Sequence, residues 1–175
     1  DIVFWIQNIL VVGEIKCNIF PVTPIEKYNY IAALQQGALQ IKRKAAFIQK
    51  NFKELLSSGQ IPEQTYFDAE AIEILPIVIS NLPLLVGMSF EDVPIVDKLI
   101  INQYLESGER GFFYEVGKNG FSHPRKVVSL YEDDSDAMEK IAQYLHAPPQ
   151  VADLFSWTDI EFRTIKIKDE LIQVA

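Results

Sequence analysis

The sequence contains few of the residues that form disulfides and zinc sites. Cys17 is the only cysteine among 175 residues, which excludes an internal disulfide framework and a cysteine-based zinc site. The two histidines, His123 and His146, do not follow a metal-binding spacing such as His-x-x-x-His, so we interpret both as structural residues. A single cysteine is typical of proteins from the reducing cytoplasm, which is the location we expect.

The sequence also lacks a basic segment followed by an apolar core at its start, so a secretory signal is not expected. Its most hydrophobic window, residues 71–90, is interrupted by four residues: Glu73, Pro76, Asn81 and Pro83. This composition favours a buried strand and a loop over a membrane span. We therefore expect no membrane partner.

Positive charge is scarce as well. With 16 lysines and arginines against 24 acidic residues, the net charge is -8, which argues against a generally basic surface that coats nucleic acid. Any contact with nucleic acid should therefore be local and assisted by metal ions. The remaining composition, 49% hydrophobic and 23% charged, is that of a globular protein with one large or two small domains.

Residues 1–17, DIVFWIQNILVVGEIKC, predict a β-hairpin. Two apolar runs flank Gln7 and Asn8, and this pair suits a two-residue turn because Asn tolerates the positive φ that such turns require. With this turn, Asp1 on the first strand faces Glu14 on the second. Two carboxylates directly opposite each other repel, and a bound cation would neutralise them.

A third charged residue is predicted at the same place. Side chains alternate along a strand, so Lys16 emerges beside Glu14 on the face shared with Asp1. Carboxylates one strand apart suit Mg²⁺ or Mn²⁺, and a phosphodiester is a natural substrate for such an ion. The neighbouring ammonium can orient the attacking water or stabilise the pentacovalent charge. The alternative is an ordinary half-buried strand with a charged, solvated face.

A long helix follows the hairpin. Thr23 is predicted as its N-cap, Pro24 as its first residue and Glu26 as the reciprocal partner in a capping box. Apolar residues then recur at steps of three and four until a Ser-Ser-Gly sequence ends the pattern. A helix of this length predicts a break or bend near Asn29 or Gly37.

One side of this helix carries Gly37, Gln40 and Lys44, because these residues are three and four positions apart. The small Gly37 leaves room there for a neighbouring side chain. Four further residues make this the most basic helix of an acidic protein: Lys42, Arg43, Lys50 and Lys53. They can meet a phosphate backbone, and the alternative is a solvated helix surface.

Residues 72–80 predict a buried strand in which Pro76 indicates a sheet edge or an irregularity. The resulting order of strand, strand, helix and strand favours parallel pairing across the helix and a layered α/β core. Pro94 is predicted to begin a helix that runs to about Glu106, with Gly108 as its terminator. This would complete the core.

The rest of the chain predicts a small α+β extension packed on the core. Its elements are strands at 112–116, 126–131 and 159–167, and a helix capped by Asp134 or Ser135. Two domains are therefore expected, 1–108 and 109–175.

Residues 1–99 resemble the PD-(D/E)XK nucleases. The likeness rests on an Asp that opens one strand, Glu14-Ile15-Lys16 on the next, a long helix that carries Gln40, and the apolar strand around Ile77. It implies a restriction-endonuclease-like mixed sheet flanked by helices for the core at 1–108.

The resemblance also implies roles for individual residues. Asp1 and Glu14 would bind Mg²⁺ or Mn²⁺, Lys16 would assist the water or the transition state, and Gln40 would stand beside them. The proline that often precedes the Asp and the first helix of the fold are not in the sequence, so we expect that sequence upstream of Asp1 is missing.

The expected function is a metal-dependent nuclease domain that hydrolyses phosphodiester bonds of DNA or RNA, by endo- or exonucleolytic cleavage. The alternative belongs to another class. It is a catalytically inactive, nuclease-like binding or assembly domain that uses its C-terminal part for contacts with a protein partner or with further copies of itself.

Overall fold

The computed structural model describes residues 1–61, 72–116, 122–151, 163–167 and 170–174, with side chains described in 1–61, 72–109 and 129–151. The first four residues of the strand predicted at 159–167 and the side chain of His123 lie outside the described residues.

The chain begins with the predicted hairpin. Strands β1 (Ile2–Ile6) and β2 (Ile9–Lys16) pair antiparallel, and Ile2 lies opposite Gly13 in the predicted register. The positive φ of the turn belongs to Gln7, at 48°, rather than to Asn8. A two-residue turn fixes which residues face each other, so the register follows from local sequence.

The hairpin belongs to a five-stranded mixed sheet with the order β1-β2-β3-β5-β4. Its other strands are β3 (Glu73–Ser80), β4 (Ser89–Phe90) and β5 (Val93–Asp97). β3 pairs parallel with both β2 and β5, which confirms the predicted parallel pairing. The sequence predicts that Pro76 marks a sheet edge or an irregularity, and because β3 is a central strand, the first alternative is wrong for the strand as a whole. Pairing with β5 begins only at Val78, so the proline removes no bond to that strand.

Helix α1 (Pro24–Ser57) joins the hairpin to β3, and its capping box is formed as predicted by Thr23 and Glu26. The bend predicted near Asn29 or Gly37 is wrong. The only non-helical backbone lies at Asn51, with φ of -112° and ψ of 19°. There the side-chain amide donates to the carbonyl of Phe47 at 2.8 Å, so it competes with the backbone for a helical acceptor.

The helix predicted from Pro94 to Glu106 is wrong at its start. Pro94 lies within β5, which is buried between β3 and β4, so burial in the sheet outweighs the preference of proline for a first helical turn. Helix α2 (Lys98–Asn102) starts only after Asp97, whose carboxylate accepts a hydrogen bond from the Ile100 N–H at 2.9 Å. A π-helical turn follows and ends at Gly108, which confirms the predicted terminator.

Helices cover the sheet on both faces. The core on the α1 side contains Leu10, Val12, Tyr30, Leu34, Ala38, Ile41, Val78 and Ile95. The core on the other side contains Ile9, Val11, Leu75, Ile77, Val96 and Ile100, together with Ala137, Ile141, Tyr144 and Leu145 from helix α3 (Asp134–His146). Alternate residues of β2 therefore face opposite cores, as expected for a strand buried on both sides.

The C-terminal part contains two antiparallel hairpins besides α3. Strands β6 (Glu109–Val116) and β7 (Ser122–Ser129) form one, and β8 (Arg163–Ile167) and β9 (Glu170–Val174) form the other. The N-cap of α3 is Asp133, one residue before the predicted pair. The division at residue 108 stays a prediction, although α3, beyond it, shares a core with the main sheet. No helix in the described ranges is long and apolar enough to cross a bilayer.

The packing of α1 on the sheet predicts a contrast between two leucines of that helix. Leu34 is 0% exposed, whereas Leu39 is 48% exposed. We expect Leu34→Ala to lower the free energy of unfolding by about 2–5 kcal/mol, because it leaves a cavity against the sheet. Leu39→Ala should change it by less than about 1 kcal/mol. Urea denaturation of both variants measures the difference, and equal losses would contradict this packing.

Candidate active site

The predicted site residues meet beside the carboxyl-terminal end of β2. Because side chains alternate along the strand, Glu14 and Lys16 continue the row of Leu10 and Val12, which faces α1. Lys16 Nζ lies 2.9 Å from Glu14 Oε1 and 2.9 Å from Gln40 Oε1. The strand therefore supplies a carboxylate and an ammonium, and the helix supplies an amide acceptor.

Asp1 lies at the same place. The Nζ atom of Lys44 is 2.7 Å from Asp1 Oδ2 and 2.7 Å from Glu14 Oε2. Because both oxygens accept a hydrogen bond from the same nitrogen, Asp1 Oδ2 and Glu14 Oε2 can be no farther apart than the sum of these two distances. The hairpin register, with Ile2 opposite Gly13, brings the two carboxylates to facing positions as the sequence predicts.

The sequence places Lys44 on the same side of α1 as Gln40 but does not predict its contacts with Asp1 and Glu14. Its spacing from Gln40 places both on one side of α1, and this was the available signal. This spacing separates Lys44 from Lys42, Lys50 and Lys53, but it does not say which partners the ammonium finds. Only the packing of the helix on β2 reveals that Lys44 contacts both acidic residues.

Gly37 permits the close approach of Lys16 to the helix. A Cβ atom at this position would lie 2.8 Å from Lys16 Cε and 3.4 Å from Lys16 Cγ. One turn of α1 therefore has no side chain where the aliphatic part of Lys16 passes. Nearby, the hydroxyls of Tyr30 and Ser80 lie 2.9 Å apart in the core and tie α1 to the end of β3.

The surroundings of Glu14 favour its ionised form. Its side chain is 12% exposed, and this burial alone would raise the pKa of the carboxyl. The hydrogen bonds from Lys44 and Lys16, reinforced by their charges, outweigh burial and lower the pKa below its ordinary value of 4.5. Glu14 is thus an anion held between two cations.

A groove of about 720 Å³ extends from the acidic pair along α1. Arg43 and the exposed ring of Phe47 lie on its wall with Lys44. Three other basic residues of α1, Lys42, Lys50 and Lys53, do not line this groove. Lys42 Nζ donates to the Glu91 carbonyl at 3.0 Å, while Lys50 and Lys53 line a separate depression.

The donor set suits Mg²⁺ or Mn²⁺ in part. Asp1 and Glu14 offer two carboxylates within reach of one ion, and Mg²⁺ binds through one or two carboxylates while it keeps several waters. Among the described side chains, no group of three or more His, Cys, Asp or Glu residues is arranged to hold a metal. Among the described side chains, the acidic ligands at this position are thus Asp1 and Glu14, with Lys44 between them.

The chain was compared with protein-family models, with curated proteins and with solved structures, and none of the three comparisons gave a match.

The contacts of Glu14 predict its titration. We expect a pKa below 4.5 for this carboxyl in the native chain and a higher pKa in Lys44→Met, which removes the shorter hydrogen bond. Carbon-13 NMR titration measures both values. An unchanged pKa in the variant would contradict the Lys44 contact.

The same titration affects stability. A folded-state pKa below the unfolded one stabilises the fold above pH 4.5, and this contribution is lost as pH falls through the lowered pKa. The native chain should therefore lose more stability than Glu14→Gln between about pH 6 and pH 3.

Proposed function

We propose that this chain is a metal-dependent nuclease domain of the PD-(D/E)XK type, which hydrolyses phosphodiester bonds of nucleic acid. The observation that carries the proposal is that Asp1, Glu14, Lys16 and Gln40 meet beside one face of β2. There Lys16 donates to Glu14 and Gln40, and Lys44 donates to Asp1 and Glu14. The mixed sheet, with its hairpin, long helix and parallel third strand, supports a restriction-endonuclease-like core.

The two carboxylates would hold Mg²⁺ or Mn²⁺, which supplies Lewis-acid activation of the phosphate and of a water molecule when bound. Lys16 is the residue that would act on the reacting atoms. Among the described side chains it donates to Glu14 and Gln40, so one of its three N–H bonds is left for a water or a phosphate oxygen. Its two acceptors fix the ammonium in place before substrate arrives, which is how preorganised charge stabilises a transition state.

Gln40 would act as a positioning residue. Gln40 lies in the middle of α1, and its amide oxygen accepts a hydrogen bond from Lys16. The helix therefore helps to hold the ammonium in place, in addition to Glu14 on its own strand. Without this contact, Lys16 would be directed only by Glu14 on the same strand.

The groove along α1 would receive the nucleic acid. Arg43 offers a cation for a phosphate, and Phe47, 59% exposed, offers a ring on which a base can stack. This is a local contact on an acidic protein, with a net charge of -8. It requires no basic surface elsewhere.

A second candidate function is a catalytically inactive, nuclease-like domain that binds or assembles with other proteins. The observation that favours it is Lys44, whose ammonium already forms ion pairs with both Asp1 and Glu14. A lysine in this position can replace the structural role of a metal without supplying its chemistry.

Cleavage assays distinguish the two functions. We expect the full chain to cleave DNA or RNA in the presence of Mg²⁺ or Mn²⁺, and Glu14→Ala and Lys16→Ala to lower the rate by about a hundredfold or more. Lys42→Ala is the matched control, since Lys42 lies on α1 but contacts Glu91 instead of the site. Equal cleavage by all four proteins would exclude this mechanism, and no cleavage by the native chain would favour the second function.

Gly37→Ala tests the position of Lys16 without removing it. The new methyl group would displace the flexible end of Lys16, so cleavage should fall about tenfold or more. The melting temperature should change by no more than a few degrees, because the higher helix propensity of alanine offsets part of the loss of the Lys16 contacts. Gln36→Ala, one residue earlier and exposed, is the control for substitution in this turn and should retain full cleavage. Full activity in Gly37→Ala would show that the placement of Lys16 is not critical.

A further inference from the structure

The ammonium group of Lys44 lies where a cation shared by the two carboxylates would lie. It is 2.7 Å from one oxygen of Asp1 and 2.7 Å from one oxygen of Glu14. A Mg²⁺ ion bound to the same two oxygens would approach each of them to about 2.0–2.1 Å. The ion and the ammonium would then occupy overlapping space, and their like charges would repel strongly in this partly buried position.

Lys44 and Lys16 contact different oxygens of Glu14, and their side chains differ in exposure. Lys16 donates to Gln40 and to the Oε1 atom of Glu14, and its side chain is 21% exposed. Lys44 donates to the other oxygen, Oε2, and its side chain is 43% exposed. Lys44 can therefore turn toward solvent by rotation of its own side chain, while the pair formed by Lys16 and Gln40 remains in place.

We propose that Lys44 is a built-in competitor of the divalent cation: its ammonium holds Asp1 and Glu14 together until an ion displaces it toward the groove. The proposal rests on the proposed function in that it takes these carboxylates as the metal site. Lys44 is a positioning residue here and takes no part in the reaction. Because the ion must displace two hydrogen bonds, the native chain binds metal less tightly than its carboxylates alone would.

The groove can receive the displaced ammonium of Lys44. Arg43 and Phe47 lie on the same wall of the groove, so release of Lys44 adds a second cation to the surface proposed to meet the phosphate backbone. Binding of the ion would thus raise the positive charge available to a nucleic acid, which couples the two ligands through one side chain.

Titration with Mn²⁺ tests the competition without any cleavage assay. The electron paramagnetic resonance signal of free Mn²⁺ reports how much ion the full chain binds. We expect Lys44→Met to bind Mn²⁺ about tenfold more tightly than the native chain, since one exposed and one partly buried charge-assisted contact no longer have to be broken. Lys44→Arg keeps the positive charge and should stay within about threefold of the native chain.

Two controls separate competition from other effects. Lys42→Met changes the net charge by the same amount on the same helix, and its affinity should equal that of the native chain. Glu14→Ala should abolish binding, which locates the ion. Circular dichroism of each variant checks the fold, and Lys44→Gln is measured as a second neutral variant, so that the test does not depend on the folding of Lys44→Met alone.

Each outcome has a distinct meaning. Tighter binding by the neutral Lys44 variants alone supports the competition. Equal or weaker binding by these variants, with the site occupied in the native chain, overturns the competition and leaves the proposed nuclease function intact. Absence of Mn²⁺ binding in the native chain and in both neutral Lys44 variants overturns the metal site itself, and the proposed function with it.

Discussion

The carboxylate of Glu14 is the group on which the rest of the site depends. One of its oxygens accepts from Lys16 on the same strand, and the other accepts from Lys44 on α1. A partly buried anion requires such partners, because an unpaired charge in this position would be costly. The two lysines that satisfy Glu14 also contact Gln40 and Asp1, so all five side chains belong to one network.

The site could be predicted as far as local sequence determines it. A two-residue turn sets the hairpin register, which places Asp1 opposite Glu14, and alternation along the strand places Lys16 beside them. Lys44 could not be assigned in this way. Its partners lie 30 and 43 positions away in sequence, so its role depends on how α1 packs on the sheet.

The fold shows the same division between local and tertiary causes. The capping box that begins α1 at Thr23 is a local signal and is formed as predicted. The sequence at Pro94 suits a first helical turn, but it forms a strand because it is buried between two neighbouring strands. The bend at Asn51 depends on a side-chain amide finding a carbonyl one turn earlier, which many asparagines in helices do not do.

The beginning of α1 has a consequence for how this chain can change in length. The capping box fixes the first turn at Thr23, and Gly37, Gln40 and Lys44 reach β2 because each lies a set number of residues after it. One residue inserted between the cap and Gly37 would rotate everything downstream by about 100° and turn these three positions away from the strand. Relatives that share this chemistry should therefore keep that spacing constant, together with the two-residue turn that sets the hairpin register.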